Sequence, residues 1–409
     1  MSDHPPDAAP VIKPPAMGEP YLLTPGPLTT SALTKQAMLC DWGSWDADFR
    51  AMTAALRQQL IQLAANGDEA FAETLDCVPV QGSGSFAVEA MLGSFLPAGS
   101  KTLVLSNGAY GKRAAETLGY LKRDFILLDK GDYLPPMPAE VAAMLAADPA
   151  ISHVMAIHCE TSSGILNPIA EIAAVVADAG CKLLIDSMSA FGGVPLALEQ
   201  LPFEAIVSSA NKCIEGVPGF SFVLAGKTAL EACKGNSHSL ALDLHAQWQV
   251  MNSTGQWRFT PPTHVVAAFM QALAQHAAEG GIAGRHARYV ANRDKLVAAM
   301  RGLGFETLLD DAWQSPIIVT FFCPLDPAFD FAAFYDGLKQ HGFIIYPGKL
   351  TVVDSFRIGC IGQLDGAVID KLVEAVAAVL HQLGVQSAAP PPAALAERSK
   401  LAQNAGADH

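Results

Sequence analysis

Between residues 78 and 225 the sequence repeats one pattern: four to six apolar residues, a polar cluster, then a stretch with helical spacing. Strands are expected over 101–106, 125–128, 153–158, 182–185, 205–207 and 220–225, with helices over 86–95, 139–147 and 169–179. Runs this short and this apolar are strands buried on both faces, and alternation with helices makes a mostly parallel sheet covered on each side. In such sheets ligands gather beyond the carboxyl ends of the strands. The polar clusters QGSGS, NGAYG, CETSSG, DSMS and SSANK stand at those ends or open the helices there. That coincidence restricts the chain to an α/β fold with one composite site.

The rest of the chain is read around this block. Residues 21–27 form an extended lead into a Pro-Gly-Pro turn, and helices are expected from 30 and over 49–65. After residue 258 the pattern turns helical through about 300. A second alternating block follows, with strands over 317–322, 343–346 and 355–358 and helices over 331–341 and 367–383. The expected organisation is a large domain over 21–275 and a smaller C-terminal α/β domain over 276–385. Pro-rich segments 1–20 and 386–409 are expected to be disordered tails, with LAERSKLA at 395–402 able to form a short exposed helix.

Composition removes several function classes. With 26 Lys plus Arg against 40 Asp plus Glu, the net charge of −14 argues against a nucleic-acid partner. The 8 cysteines lack Cys-x-x-Cys spacing and the 11 histidines lack metal-ligand spacing, so reduced thiols in the cytoplasm are expected, and no metal. No apolar run is long enough to span a membrane, and the first residues lack the pattern of a signal peptide.

Lys212 is the residue on which the chemistry turns. It ends an apolar run on a Ser-Asn turn, and Gly216, Pro218 and Gly219 after it cannot continue a helix or a central strand. Desolvating an amine in a cleft favours its neutral, nucleophilic form, able to make a Schiff base. A strand-end lysine reaching water would look the same in isolation. Ser83, Gly84 and Ser85 open a helix and suit a phosphate, or serve as a plain N-cap turn. The stretch fails the dinucleotide pattern G-x-G-x-x-G, because Ala87 holds the sixth position. Asp186 ends a strand, either as a helix cap or as the partner of a protonated heterocycle nitrogen. Thr161 and Ser163 can donate to a ligand oxygen, and Tyr110 can lay its ring on a flat ligand. Arg357 sits inside an apolar strand, where a guanidinium without an anion is costly. Phosphate cradle, aromatic plate, hydroxyl, carboxylate and Schiff-base lysine together describe pyridoxal 5′-phosphate.

These residues, in YLLTPGPLTTS, QGSGSFAVEAMLGS, SNGAYGKR, HCETSSGILNP, SSANKCIEGVPGF, WRFTPPTH and YPGKLTVVDSFRIGCIG, give the chain its resemblance to the fold type I, class V pyridoxal-phosphate aminotransferases. The resemblance runs from about residue 21 to 383. It implies a mostly parallel seven-stranded sheet in the large domain. It implies Lys212 as Schiff-base lysine and proton shuttle, Asp186 on the pyridine nitrogen and Thr161 near the phenolic oxygen. Tyr110 would stack on the ring, Met188 would pack beneath it, and Asn211 would support the lysine loop. Ser83, Gly84 and Ser85 would hold the phosphate, with Thr260 arriving from a second subunit of a homodimer. Arg357 would bind the acidic end of the substrate. GNSHSLALDLHAQW and the lysine motif resemble the branch that moves an amine from 2-aminoethylphosphonate to pyruvate. Alanine–glyoxylate or serine–pyruvate transamination is the alternative with the same residues. A non-catalytic binding protein on this fold would be expected to lack the lysine or the carboxylate, and both are present.

Overall fold

The computed structural model describes residues 18–348 and 353–406. The 1–20 tail reading falls almost wholly outside the described residues. After β1 (Tyr21–Leu22), the strands β2 (Leu75–Gln81), β3 (Lys101–Ser106), β4 (Asp124–Asp129), β5 (Ile151–Ile157), β6 (Lys182–Asp186), β7 (Ala205–Ser209) and β8 (Phe220–Gly226) follow. All but β1 form a seven-stranded sheet in the order β2-β8-β7-β6-β5-β3-β4. Neighbours from β7 to β4 are parallel, and β8 runs against both β2 and β7.

Double-sided burial is visible residue by residue. Along β5, Val154 and Ala156 enter one core while Met155 and Ile157 enter the other. β6 divides Leu183 and Ile185 from Leu184 in the same way, following the two-residue period of a strand. The first core is closed by α1 (Ala47–Ala65), and the second by α2 (Gly84–Phe95) and α3 (Ala109–Tyr120). Helices α4 (Pro138–Ala147) and α5 (Ile169–Asp178) join the first core. The central strands β5 and β6 carry apolar residues on both faces because both are covered, whereas the edge strand β4 is largely exposed.

Helices α6 (Thr263–Ala278) and α7 (Gly281–Gly302) lead to the second block. There β9 (Ile318–Phe322), β10 (Phe343–Ile344), β11 (Tyr346–Pro347) and β12 (Ser355–Gly359) surround α8 (Phe331–Gln340) and α9 (Gly366–Leu383). A three-stranded antiparallel sheet, β9-β12-β11, packs its phenylalanines against both helices. No helix among the described residues is long and apolar enough to cross a membrane.

Two sequence expectations are corrected. The N-terminal lead, assigned above to the large domain, pairs β1 with β10 and buries Leu23 in the core of the C-terminal block. Gly359 N donates to Leu23 O at 2.9 Å, which ties the lead to β12. The tail expected to be disordered from 386 is helical as α10 (Pro392–Gly406). Its first residue is a proline, which starts a helix without cost because its missing N–H would be unpaired there anyway. Ala394 and Leu395 pack with Leu308 and Phe322, and Arg398 donates to Thr307 O at 2.7 Å.

Candidate active site

A cavity of about 560 Å³ opens beyond the carboxyl ends of the central strands, a size suited to a cofactor and small substrate. Ser83, Gly84, Ser85, Tyr110, Asp186, Met188, Asn211 and Lys212 all line it. These positions span 130 residues of sequence, from 83 to 212, and strand-end geometry brings them together.

Lys212 follows β7, and its Nζ donates to Pro25 O at 2.8 Å. Gly26 has a φ of +112°, and a Cβ there would lie 2.7 Å from Lys212 Cδ and 2.8 Å from Asn211 O. Both the backbone conformation and the close approach demand glycine. Gly26→Ala is therefore expected to lower stability by about 1–3 kcal/mol in urea unfolding and to displace the lysine. Unchanged stability and turnover would contradict this packing.

Asp186 is buried at the end of β6, and its carboxylate accepts from Met188 N at 2.9 Å. Burial pushes its pKa up to about 6, and the Glu160 charge adds to this. The Met188 amide and the Lys212 and Arg113 charges act in the opposite direction. Behind it His158 N donates to Asp186 O at 2.8 Å, and the His158 ring sits 2.9 Å from Ser187 Oγ. Burial lowers the His158 pKa to about 4, so this ring is neutral at pH 7 and does not compete for the carboxylate.

Helix α2 begins at Ser83 without a side-chain cap bond, leaving first-turn amides and the helix dipole directed at the cavity. A Cβ at Gly84 would lie 2.6 Å from Met188 Sδ, so the helix start packs directly on that side chain. The start of α3 is different. Glu160, fully buried, accepts from Tyr110 N at 2.9 Å, Gly111 N at 3.4 Å and Ser162 Oγ at 2.5 Å. This helix end is satisfied internally, and its role is to fix Tyr110. Arg113, one turn on, lies over the Tyr110 ring at 5.1 Å and lines the cavity.

Thr161 Oγ1 and Ser209 Oγ are two of four buried hydroxyls without a hydrogen-bond partner among the described residues, with Thr102 and Ser355. Such groups are rare, and one that faces a cavity is available to a ligand. Ser209 lines the cavity; Thr161 is not among the lining residues. Arg357 on β12 also lies outside that lining. It is 1% exposed, donates from Nη1 to Thr161 O at 2.7 Å and from Nε to Pro347 O at 3.1 Å. No carboxylate among the described residues forms an ion pair with it, and burial pulls its pKa below the ordinary arginine value. Thr260 is exposed on the loop before α6 and is not among the residues that line its own chain's cavity.

Sequence reasoning missed Ser209, Glu160, Arg113 and the Pro25–Gly26 turn. Ser209 carried a signal, as a hydroxyl ending β7 beside the lysine motif. Glu160 carried none, because its amide partners lie 50 residues earlier.

The Aminotransferase class-V family profile matches residues 106–348. The chain is 66% identical over 386 residues to the 2-aminoethylphosphonate–pyruvate transaminase of Rhizobium meliloti, covering 94% of this chain and 100% of the relative. A relative of the same name from Pseudomonas aeruginosa is 51% identical over 366 residues, with 90% and 97% covered. Among solved structures, pyridoxamine–pyruvate aminotransferase from Mesorhizobium loti superimposes with a TM-score of 0.81 at 21% identity, covering 91% of this chain and 95% of that one. Alanine–glyoxylate aminotransferase from Nostoc sp. gives 0.82 at 22% identity, with 93% and 100% covered. At such identities the structures speak for the fold.

Proposed function

The chain belongs to the class-V aminotransferase family, and on that premise we propose pyridoxal 5′-phosphate-dependent transfer of an amine from 2-aminoethylphosphonate to pyruvate. The products are phosphonoacetaldehyde and L-alanine. The cavity fits the cofactor on its own terms: an uncapped helix start for the phosphate, a buried carboxylate, an amine, and an orphaned hydroxyl at Ser209. When bound, the cofactor supplies an aldehyde that links covalently to amines and a ring that withdraws electrons.

The protein's residues supply the rest. Ser83, Gly84 and Ser85 bind the phosphate through amides and hydroxyls. Tyr110 orients the ring from its place on α3, with Met188 packed on the helix start below. The Asp186 carboxylate accepts the ring N–H and keeps the proton on that nitrogen, which maintains the ring's electron demand. Ser209 would donate its hydroxyl to a cofactor oxygen, and Thr161 would sit near the phenolic oxygen. Lys212 Nζ holds the cofactor at rest, on a loop that Asn211 supports. Its neutral amine would serve as the base that moves a proton, at Nζ, to and from the substrate carbon bearing nitrogen. The same residues serve both half-reactions.

Substrate choice rests on Arg357, the observation that carries the proposal beyond the cofactor. A guanidinium buried against two carbonyls and no carboxylate needs an anion. A phosphonate in one half-reaction and a carboxylate in the other both suit its fork geometry. Arg357→Ala is expected to raise KM for both substrates by about 10- to 100-fold, since charge-assisted bonds are each worth about 1.5–3 kcal/mol. Steady-state kinetics with unchanged KM for both would remove Arg357 from the site.

Thr260 is proposed to reach the phosphate of a second subunit, which makes the active species a homodimer. Sedimentation of the working enzyme is expected to give a dimer, and a fully active monomer would exclude this arrangement. All eight thiols are unpaired, in keeping with a cytoplasmic location, which cell fractionation tests. The alternative is alanine–glyoxylate or serine–pyruvate transamination. A donor panel separates them: kcat/KM for 2-aminoethylphosphonate with pyruvate should exceed that for alanine or serine with glyoxylate by at least about 100-fold. A reversed ranking would overturn the substrate assignment.

A further inference from the structure

Three residues past Lys212 lies a buried cluster for which the proposed reaction has no use. Glu215 is 2% exposed and takes a left-handed φ of +64°, uncommon for a residue with a side chain. Its Oε1 accepts from Tyr289 Oη at 2.7 Å and Arg288 Nη2 at 2.8 Å, and its Oε2 from Gln363 Nε2 at 2.6 Å. Arg285, 1% exposed, donates to Cys213 O, and Tyr289 Oη lies 3.2 Å from the same carbonyl. Glu279 accepts from Nε of both arginines at 2.6 Å, so two guanidinium charges meet two carboxylates. Helix α7 thus grips the lysine loop at Cys213 and at Glu215.

The same cluster reaches the C-terminal block. Gln363 lies in the turn after β12, the strand that carries Arg357. Arg288 also donates to the Gly362 and Leu364 carbonyls, and Asn292 Nδ2 to Cys360 O at 3.2 Å and Leu364 O at 3.1 Å. Gln363 N donates to Thr29 O at 2.8 Å, close in sequence to the Pro25 carbonyl that receives Lys212 Nζ. Lysine loop, N-terminal lead and post-β12 turn are held as one frame.

We propose that Glu215 is a positioning residue, holding the Lys212 loop and tying it through Gln363 to the Arg357 strand so that amine and guanidinium keep one spacing. The roles of Lys212 and Arg357 rest on the function proposed above. A misplacement of about 1 Å can cost on the order of 100-fold in rate, so the tie should act on kcat more than on binding. A cluster that serves folding alone would lower thermal stability and leave kcat untouched well below melting.

Two variants test this. Glu215→Gln keeps the shape but removes the charge and one acceptor; Gln363→Ala removes only the tie, from an exposed position. With 2-aminoethylphosphonate and pyruvate at 25 °C, kcat should fall about 10- to 100-fold in the first and about 3- to 10-fold in the second. KM should stay within about threefold in both. Hydrogen exchange of amides 210–216, measured without cofactor or substrate, should be at least about fivefold faster in both. Wild-type kcat in a folded variant, with or without faster exchange, would overturn the proposal. If Glu215→Gln is insoluble, Gln363→Ala decides alone. Wild-type protein inactive on 2-aminoethylphosphonate, with faster exchange in the variants, would instead count against the substrate reading.

Discussion

Lys212→Ala is expected to lower turnover by a factor on the order of 10⁴ or more while the protein stays folded. The lysine lines the cavity and belongs to none of the buried apolar clusters. Its Nζ donates to a neutral carbonyl, Pro25 O, at 2.8 Å. Such a bond contributes about 1 kcal/mol net. Lys212→Arg separates charge from nucleophilicity. Arginine preserves the positive charge but cannot lose its proton to act as base or nucleophile. Equal inactivity in both variants supports an amine that reacts; activity retained by arginine would reduce Lys212 to an electrostatic role.

Asp186→Asn should separate activity from stability in opposite directions. Turnover should fall about 1000-fold, because an amide cannot hold a proton on the ring nitrogen. The apoprotein should become more stable. The Asp186 pKa, about 6 when folded, exceeds its ordinary value of 3.8 chiefly through burial. A carboxyl whose pKa is raised by folding is neutral and costs nothing below about pH 4. The cost of ionising it grows as pH rises toward 6 and is complete above that. Two pH units correspond to about 3 kcal/mol at about 1.4 kcal/mol each. Asparagine keeps the acceptor for Met188 N and avoids this cost. The variant's stability advantage should therefore be full at pH 7.5 and vanish near pH 4 in urea titrations. A variant less stable than wild type at pH 7.5 would contradict the burial argument. The cost is what a cationic ligand group would repay on binding.

How much of this was legible follows from how each contact is made. Asp186, Lys212 and Ser83–Ser85 were visible because each ends a strand or opens a helix, and the α/β rule directs those places to one cleft. The sheet itself was visible because runs such as LLI and AIV leave no polar face. Glu160 and Pro25 were hidden, since the first meets its partner across 50 residues and the second across 187. Neither separation follows any local period. The lead at Tyr21–Leu22 looked like part of the large domain by sequence order, but its backbone is paired by β10, more than 300 residues on. The C-terminal helix begins earlier than the LAERSKLA stretch that suggests it: a proline run that reads as a breaker also makes a good first turn. Arg357 stood out as a charge in an apolar strand, yet the lack of a carboxylate beside it, which gives the residue its meaning, needed the fold.

The identity of the cofactor-bearing amine is open to one direct measurement. Protein loaded with pyridoxal 5′-phosphate is reduced with borohydride, digested and mapped by mass spectrometry. The reduced cofactor's mass is expected on Lys212 alone, in about one copy per chain, with activity lost in parallel. Label on another lysine, or active protein carrying none, would contradict the account.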